Sequence, residues 1–163
     1  MGFPTSATGG CLCGAIRYTV SGAPLSTLYC HCESCRKHTG APAVAFVGYR
    51  RDQVAYTASQ PSIYSSSPGV GRAFCGHCGT PLTWEGDGGE IGPLVELYTG
   101  TLDNPEAFPP EQHIHHREHL SWFETLDRLP RYSEWHDDGE SPYQYGPVAG
   151  EGEGEERESG EEE

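Results

Sequence analysis

This chain lacks the sequence features of membrane proteins and of nucleic-acid-binding proteins. No apolar run approaches the roughly 20 residues that span a bilayer, so we expect no membrane segment. Basic residues are scarce, since Lys and Arg number 10 against 24 Asp and Glu, which gives a formal net charge of -14. Without a basic stripe to follow a phosphate backbone, we expect no nucleic-acid partner.

The start of the sequence lacks the features of an export signal. The first residues, MGFPTSATGG, contain neither a basic start nor an apolar stretch. We therefore predict a cytoplasmic location, where thiols stay reduced. The cysteine count of seven is odd, which also disfavours a framework built only from disulfides.

Hydrophobic residues are few, at 35%, whereas 22 glycines and 13 prolines indicate many turns. A chain of 163 residues suits one domain with a modest core. Bound metal can supply the missing stability, because structural zinc contributes roughly 10 to 16 kcal/mol in small domains. We predict a folded zinc-binding domain over residues 8–136 and a disordered acidic tail, rich in Gly and Glu, over residues 137–163.

Short runs of alternating apolar residues, bounded by Gly, Pro or Ser, predict β-strands along the body of the chain. They lie at Ile16 to Val20, Leu25 to Tyr29, Val44 to Val47, Gln53 to Tyr56, Ser62 to Ser65, Arg72 to Phe74, Pro81 to Trp84 and Leu94 to Tyr98. Helix is predicted only as single turns at Glu33 to Thr39 and near Pro105 to Phe108. We therefore expect an all-β fold, a zinc-pinned β-sandwich with little helix.

The seven cysteines form three clusters: Cys11-x-Cys13, Cys30-x-Cys32-x-x-Cys35 and Cys75-x-x-Cys78. Thiolates at these spacings can turn onto one ion, and a tetrahedral zinc site draws its ligands from two such pairs. We assign Cys11, Cys13, Cys75 and Cys78 to one closed site, with Gly14 and Gly79 allowing the positive φ that knuckle turns need. The weaker Cys11-x-Cys13 pair could instead be two ordinary buried thiols.

The remaining three cysteines, Cys30, Cys32 and Cys35, predict a second zinc site with an open fourth position. An open position can hold water or an incoming thiol, so this is the predicted reactive site. Arg36 and Lys37 follow it directly and would offset its negative charge. The alternative is a complete structural site in which His31, His38 or His77 supplies the fourth ligand.

The chain also contains a histidine cluster, His113-x-His115-His116-x-x-His119. On a strand, alternation would turn His116 away from the other three, whereas helical spacing would align it with His113 and His119. We expect these imidazoles to line a pocket or face solvent rather than form a third metal site. Trp84, Trp122 and Trp135 are expected to be core or lid residues.

Further motifs extend the pattern over nearly the whole body of the chain. They are Gly10 to Gly14, Cys30 to Gly40, Phe74 to Thr80, Gly100-Thr101-Leu102-Asp103, Pro110-Glu111-Gln112-His113-Ile114, Ser121-Trp122 and Leu129-Pro130-Arg131-Tyr132. In these motifs the chain resembles the glutathione-dependent formaldehyde-activating (GFA) family, which includes centromere protein V. His115, His116 and His119 depart from the family pattern.

The resemblance implies an all-β fold with a structural zinc on Cys11, Cys13, Cys75 and Cys78 and a catalytic zinc on Cys30, Cys32 and Cys35. It implies glutathione as co-substrate and formaldehyde as the aldehyde, joined into S-(hydroxymethyl)glutathione. In reverse, this is a carbon-sulfur lyase reaction.

Two functions therefore remain open at the sequence level. The first is an enzyme of thiol-aldehyde adduct chemistry, whose partners are a small-molecule thiol and an aldehyde. The second is a noncatalytic zinc module that binds another protein, as centromere protein V suggests. No extended basic arm is present to favour a chromatin role, so the enzyme is preferred. The sequence does not indicate an oligomeric state.

Overall fold

A computed structural model describes residues 2–135, which contain ten β-strands and one short α-helix. The strands are β1 (Ser6–Gly10), β2 (Arg17–Ser21), β3 (Ser26–Cys30), β4 (Val44–Arg50), β5 (Val54–Tyr56), β6 (Ser62–Ser67), β7 (Val70–Phe74), β8 (Pro81–Asp87), β9 (Pro93–Tyr98) and β10 (His113–Ile114). This confirms the predicted all-β class. The predicted acidic tail lies outside the described residues, and the domain boundaries stay a prediction.

The strands belong to two sheets. A three-stranded sheet has the order β1-β2-β5, and a seven-stranded sheet has the order β10-β3-β4-β9-β8-β7-β6. Neighbouring strands are antiparallel except for β10, which pairs with β3 in parallel. No helix among residues 2–135 is both long and apolar enough to cross a membrane.

The α-helix, α1 (Glu33–Thr39), follows β3 and carries the last cysteine of the second cluster. It begins after Cys32, whose sulfur accepts a hydrogen bond from the backbone N–H of Cys35. It ends at Gly40, whose φ of 70° closes the last turn. Five short 3-10 helices complete the elements, at Arg51–Gln53, Gly89–Ile91, Thr99–Thr101, Pro105–Ala107 and His116–Glu118.

The central strands β4 and β9 separate two hydrophobic clusters, because alternate residues of a strand point to opposite faces. Val47 and Leu97 face the three-stranded sheet and belong to the larger cluster. Phe46 and Tyr98 face the other way and pack with Cys30, Cys35 and their neighbours. The larger cluster consists of Cys11, Ile16, Tyr18, Val20, Val47, Tyr49, Val54, Cys75, Leu82, Val95, Leu97, Leu102 and Phe108.

The predicted strands and both predicted helical turns are present, with bounds that differ by a few residues. Strands β1 and β10 were not predicted. The sequence of β1, SATGG, has no apolar alternation, and β10 is only two residues long. Both are placed by pairing with a neighbouring strand, which the local sequence does not encode.

Truncating Leu97 to Ala should lower the free energy of unfolding by about 2 to 5 kcal/mol, because its side chain is fully buried between the two sheets. Urea denaturation followed by circular dichroism measures the change. The matched control is Leu126→Ala, since Leu126 is 86% exposed and its loss should change stability by less than about 0.5 kcal/mol. Equal effects of the two substitutions would contradict the assignment of this core.

Candidate metal centres

Four sulfurs, from Cys11, Cys13, Cys75 and Cys78, converge between the two sheets. They all lie within 4.8 Å of one another. The Sγ atoms of Cys11 and Cys13 are 3.5 Å apart, and those of Cys13 and Cys75 are 3.8 Å apart. Zinc bonds of about 2.3 Å in a tetrahedron place sulfurs about 3.8 Å apart, so these four thiols fit a zinc ion.

Two tight turns bring these sulfurs together. Cys11 and Cys13 lie in the β1–β2 loop, and the other pair lies in the β7–β8 turn. Gly14 and Gly79 follow the two pairs with φ of 78° and 77°, as the sequence predicted. The Thr80 hydroxyl lies 3.1 Å from Cys78 Sγ, and hydrogen bonds from the Thr80 side chain and backbone lower the pKa of Cys78 to about 5. This favours the thiolate that metal binding requires.

The sulfurs of Cys30, Cys32 and Cys35 form a second group on the opposite face of the large sheet, also within 4.8 Å of one another. Cys30 ends β3, Cys32 precedes α1, and Cys35 lies in its first turn. Cys30 and Cys35 are buried, whereas Cys32 is partly exposed. Hydrogen bonds from the thiols of Cys30 and Cys35 hold the pKa of Cys32 well below its usual value. Cys32 is therefore the sulfur of this group that a ligand can reach.

Within residues 2–135, no imidazole nitrogen joins these three sulfurs as a fourth ligand. The Nε2 atom of His31 is instead 2.8 Å from Nδ1 of His113. The Nδ1 atom of His38 is 2.6 Å from the hydroxyl of Tyr98. The arrangement therefore favours a three-thiol set over the alternative of three cysteines and one histidine.

Arg72, which sequence analysis did not single out, places a positive charge in contact with the three-thiol group. Arg72 is 5% exposed, and its Nη1 donates to Cys35 Sγ over 3.6 Å. Arg36 donates to the backbone oxygens of His31 and Glu118, and Lys37 pairs with Glu33 at the surface. The charge offset expected from Arg36 and Lys37 stays a prediction.

The histidine cluster forms a packed group with His31. The rings of His116 and His119 stack with centroids 4.4 Å apart, and His31 lies 5.0 Å from His116. Burial, followed by repulsion from His113, lowers the pKa of His31 to about 3, and burial lowers that of His116 to about 4. A hydrogen-bonded chain runs from Asp127 through His113 to His31. Among the described residues, these imidazoles form no metal-binding group.

The orientation of the cluster differs from the strand alternation expected from sequence. His116 packs with the other imidazoles, whereas His115 turns away and its ring meets the edge of Trp135 at 5.0 Å. The cause is that β10 ends at Ile114 and a 3-10 helix begins at His116. His115 has a φ of 51° at this junction, which reverses its direction.

A buried carboxylate, Glu96, is a candidate functional residue that sequence analysis missed. It is 4% exposed and lies on the face of β9 that also carries Tyr98. Burial, and then repulsion from Cys32, raises its pKa to about 7, while Arg72 acts in the opposite direction. The sequence feature that could have identified Glu96 is a single acidic residue within the otherwise apolar strand PLVELY, between two buried residues, Val95 and Leu97.

Glu96 lines a cavity of about 290 Å³ on the same side of the large sheet as the second thiol group. Trp84 and Trp135 line this cavity and also pack against the hydrophobic cluster that contains Cys30 and Cys35. A pocket with a buried carboxyl group and the three thiols thus share one side of the sheet, connected by the two indoles. A pocket with such a group is a candidate small-molecule site.

The fold and these sites define a two-sheet β protein with one four-thiol and one three-thiol group, each suited to a metal. A family model described as "Glutathione-dependent formaldehyde-activating enzyme" matches residues 6–118. The chain belongs to this family. This confirms the resemblance found in the sequence and supports an enzyme in general.

Two curated proteins and one solved structure are similar to this chain. A Halomonas elongata protein, named provisionally as a glutathione-dependent formaldehyde-activating enzyme, is 32% identical over 130 residues, covering 74% of this chain and 81% of that protein. An uncharacterized lyase of Schizosaccharomyces pombe is 35% identical over 74 residues, 45% of this chain and 53% of its own length. A solved Rhodobacter sphaeroides structure is 19% identical with a TM-score of 0.48, covering 59% of this chain and 87% of that one.

Replacing Cys11 with Ser should unfold the protein or lower its stability by at least about 4 kcal/mol, because Cys11 is buried in the larger core and its sulfur belongs to the four-thiol group. Replacing Cys32 with Ser should keep the folded spectrum and lose one metal ion. Near-ultraviolet circular dichroism and zinc counting by nondenaturing mass spectrometry measure both. Retention of the fold and of all zinc by Cys11→Ser would refute the closed structural site.

Replacing Glu96 with Gln should stabilise the protein more at high pH than at low pH. Between the unfolded pKa of 4.5 and the folded value of about 7, the native state retains a proton that the unfolded state has lost. Ionisation of Glu96 therefore lowers stability as the pH rises through this window, whereas Gln stays neutral. Urea unfolding gives the free energy of unfolding of Glu96→Gln minus that of the wild type. This difference should grow by about 2 kcal/mol from about pH 5.5 to about pH 8. A constant difference between the two proteins would show that Glu96 is not buried as described.

Proposed function

We propose that the protein is a zinc-dependent enzyme of thiol-aldehyde adduct chemistry that joins glutathione and formaldehyde. In this proposal, Cys11, Cys13, Cys75 and Cys78 hold a structural zinc, and Cys30, Cys32 and Cys35 hold a catalytic one. The observation that carries the proposal is the three-thiol group, which has a partly exposed Cys32 and no fourth protein ligand among residues 2–135. Family membership and the names of the relatives support the same reaction class.

A zinc ion held by Cys30, Cys32 and Cys35 would favour the thiolate form of a bound thiol at neutral pH. The residues of the chain support this chemistry in two ways. The guanidinium of Arg72, donating to Cys35, offsets the excess negative charge of three thiolates. The backbone N–H of Cys35 donates to Cys32 Sγ over 3.3 Å and fixes the most accessible sulfur.

The proposed reaction is the addition of a thiol to a carbonyl group. The sulfur electron pair forms a bond to the aldehyde carbon, the π pair of the carbonyl moves to oxygen, and the thiol proton ends on that oxygen. The product is a hydroxymethyl thioether, and no oxidant or reductant is needed. The reverse reaction breaks the carbon-sulfur bond, which makes the enzyme a lyase in that direction.

The test is glutathione-dependent consumption of formaldehyde, measured above the uncatalysed rate. The wild-type protein should show saturation with glutathione, and Cys32→Ala should lose at least about 100-fold of that rate while it keeps its circular dichroism. Ser34→Ala is the matched control, because Ser34 lies on the exposed side of the same helix and should leave the rate unchanged.

Nondenaturing mass spectrometry gives an independent result that does not depend on the uncatalysed reaction. Two zinc ions per chain, with a glutathione adduct lost in Cys32→Ala, would support the enzyme. One tightly bound zinc ion and no adduct would contradict it. That outcome would favour the noncatalytic zinc module.

A further inference from the structure

The cavity beside the three-thiol group has an aromatic and apolar wall. The indoles of Trp84 and Trp135 lie with centroids 6.0 Å apart and an interplanar angle of 52°. Leu25, Ile91 and Leu94 line the rest of the apolar surface. At about 290 Å³ the cavity lies at the lower limit of drug-sized pockets, which begin near roughly 300 Å³, so it suits a small ligand.

One buried carboxyl group, that of Glu96, lies in this wall without a partner. Glu96 is 4% exposed, and within residues 2–135 it makes no side-chain hydrogen bond or ion pair. Buried carboxylates are normally paired, since an isolated charge in an apolar site is costly. An unpaired one that faces a cavity indicates a ligand that brings the missing positive charge.

The register of the large sheet explains why Glu96 stays unpaired. Residues Ser26, Gly48, Glu96, Trp84 and Arg72 are directly opposite one another across five strands, so they share one face. Gly48 has no side chain that could cover Glu96. Trp84 separates Glu96 from Arg72, whose guanidinium donates to Cys35 and to Ser66.

The charge of the cavity is negative. Asp87 is its second carboxylate, and its Oδ1 accepts the backbone N–H of Gly89 at 3.0 Å. Among the described residues that line the cavity, none is Lys, Arg or His. A carboxylate on a ligand would therefore be repelled, whereas an ammonium group would be attracted to Glu96 and to the faces of the indoles.

We propose that this cavity binds a small alkylammonium group with no carboxylate next to its amine, because the cavity offers no cation to pair with such a carboxylate. This binding follows from the cavity alone and does not depend on the proposed reaction of glutathione with formaldehyde.

The cation preference is tested with three probes of one chain length and different charge: n-butylammonium, n-butanol and butyrate. Each is titrated into the zinc-loaded full-length protein at neutral pH and followed by tryptophan fluorescence and calorimetry. We expect n-butylammonium to bind at least about tenfold more tightly than n-butanol, and butyrate not to bind. Equal binding of the three probes, tighter binding of butyrate, or no binding of n-butylammonium would overturn the proposal.

Two substitutions locate the binding. Glu96→Gln keeps the side-chain volume and should lower the affinity for n-butylammonium at least about tenfold, whereas the affinity for n-butanol should not change. Glu106→Gln makes the same change of charge on an exposed 3-10 helix away from the cavity and should have no effect. If Glu96→Gln alters the circular dichroism, the test uses Trp84→Phe instead. This variant should bind n-butylammonium more weakly, because the smaller ring of Phe attracts a cation less than an indole does. Unchanged affinity in a folded variant would refute the cavity as the site.

Discussion

The convergence of four sulfurs between the sheets is the constraint on which the fold depends. Cys11 and Cys13 follow β1 of the small sheet, whereas Cys75 and Cys78 connect β7 and β8 of the large one. The junction also has polar links, among them the ion pair of Arg17 and Asp103, whose side chains are 39% and 46% exposed. Exposed pairs contribute about 1 kcal/mol at most, whereas structural zinc contributes roughly 10 to 16. A zinc ion on these four thiols would therefore contribute more to the junction than this ion pair.

The alternation of β4 and β9 gives the two thiol groups different surroundings. Residues on one face, such as Val47 and Leu97, close the core against the small sheet, and Cys11 and Cys75 are buried there. Residues on the other face, such as Phe46 and Tyr98, support Cys30 and Cys35 next to a cavity and a partly exposed Cys32. The period of two in the same strands thus places the two thiol groups against different hydrophobic clusters.

Much of this arrangement could be predicted from the sequence. The spacing of the cysteines indicates which thiols can share a turn, so it predicted the grouping of the sulfurs. Alternating apolar residues between Gly and Pro boundaries predicted most of the strands and therefore the all-β class. What could not be predicted depends on partners distant in sequence. Arg72 meets Cys35 across 37 positions, and Glu96 meets the cavity only because β9 lies between β4 and β8. The φ of 51° at His115 likewise has no local signal.

The charged residues Arg72 and Glu96 have opposite roles on the same face of the sheet. Arg72 has a partner within the protein, because the thiol of Cys35 accepts its hydrogen bond. Glu96 has none among residues 2–135, and its burial and its repulsion from Cys32 both oppose its ionisation. A buried carboxyl group without such a partner supports the proposal of a cationic ligand group in the cavity, because a nearby positive charge would favour its ionised form.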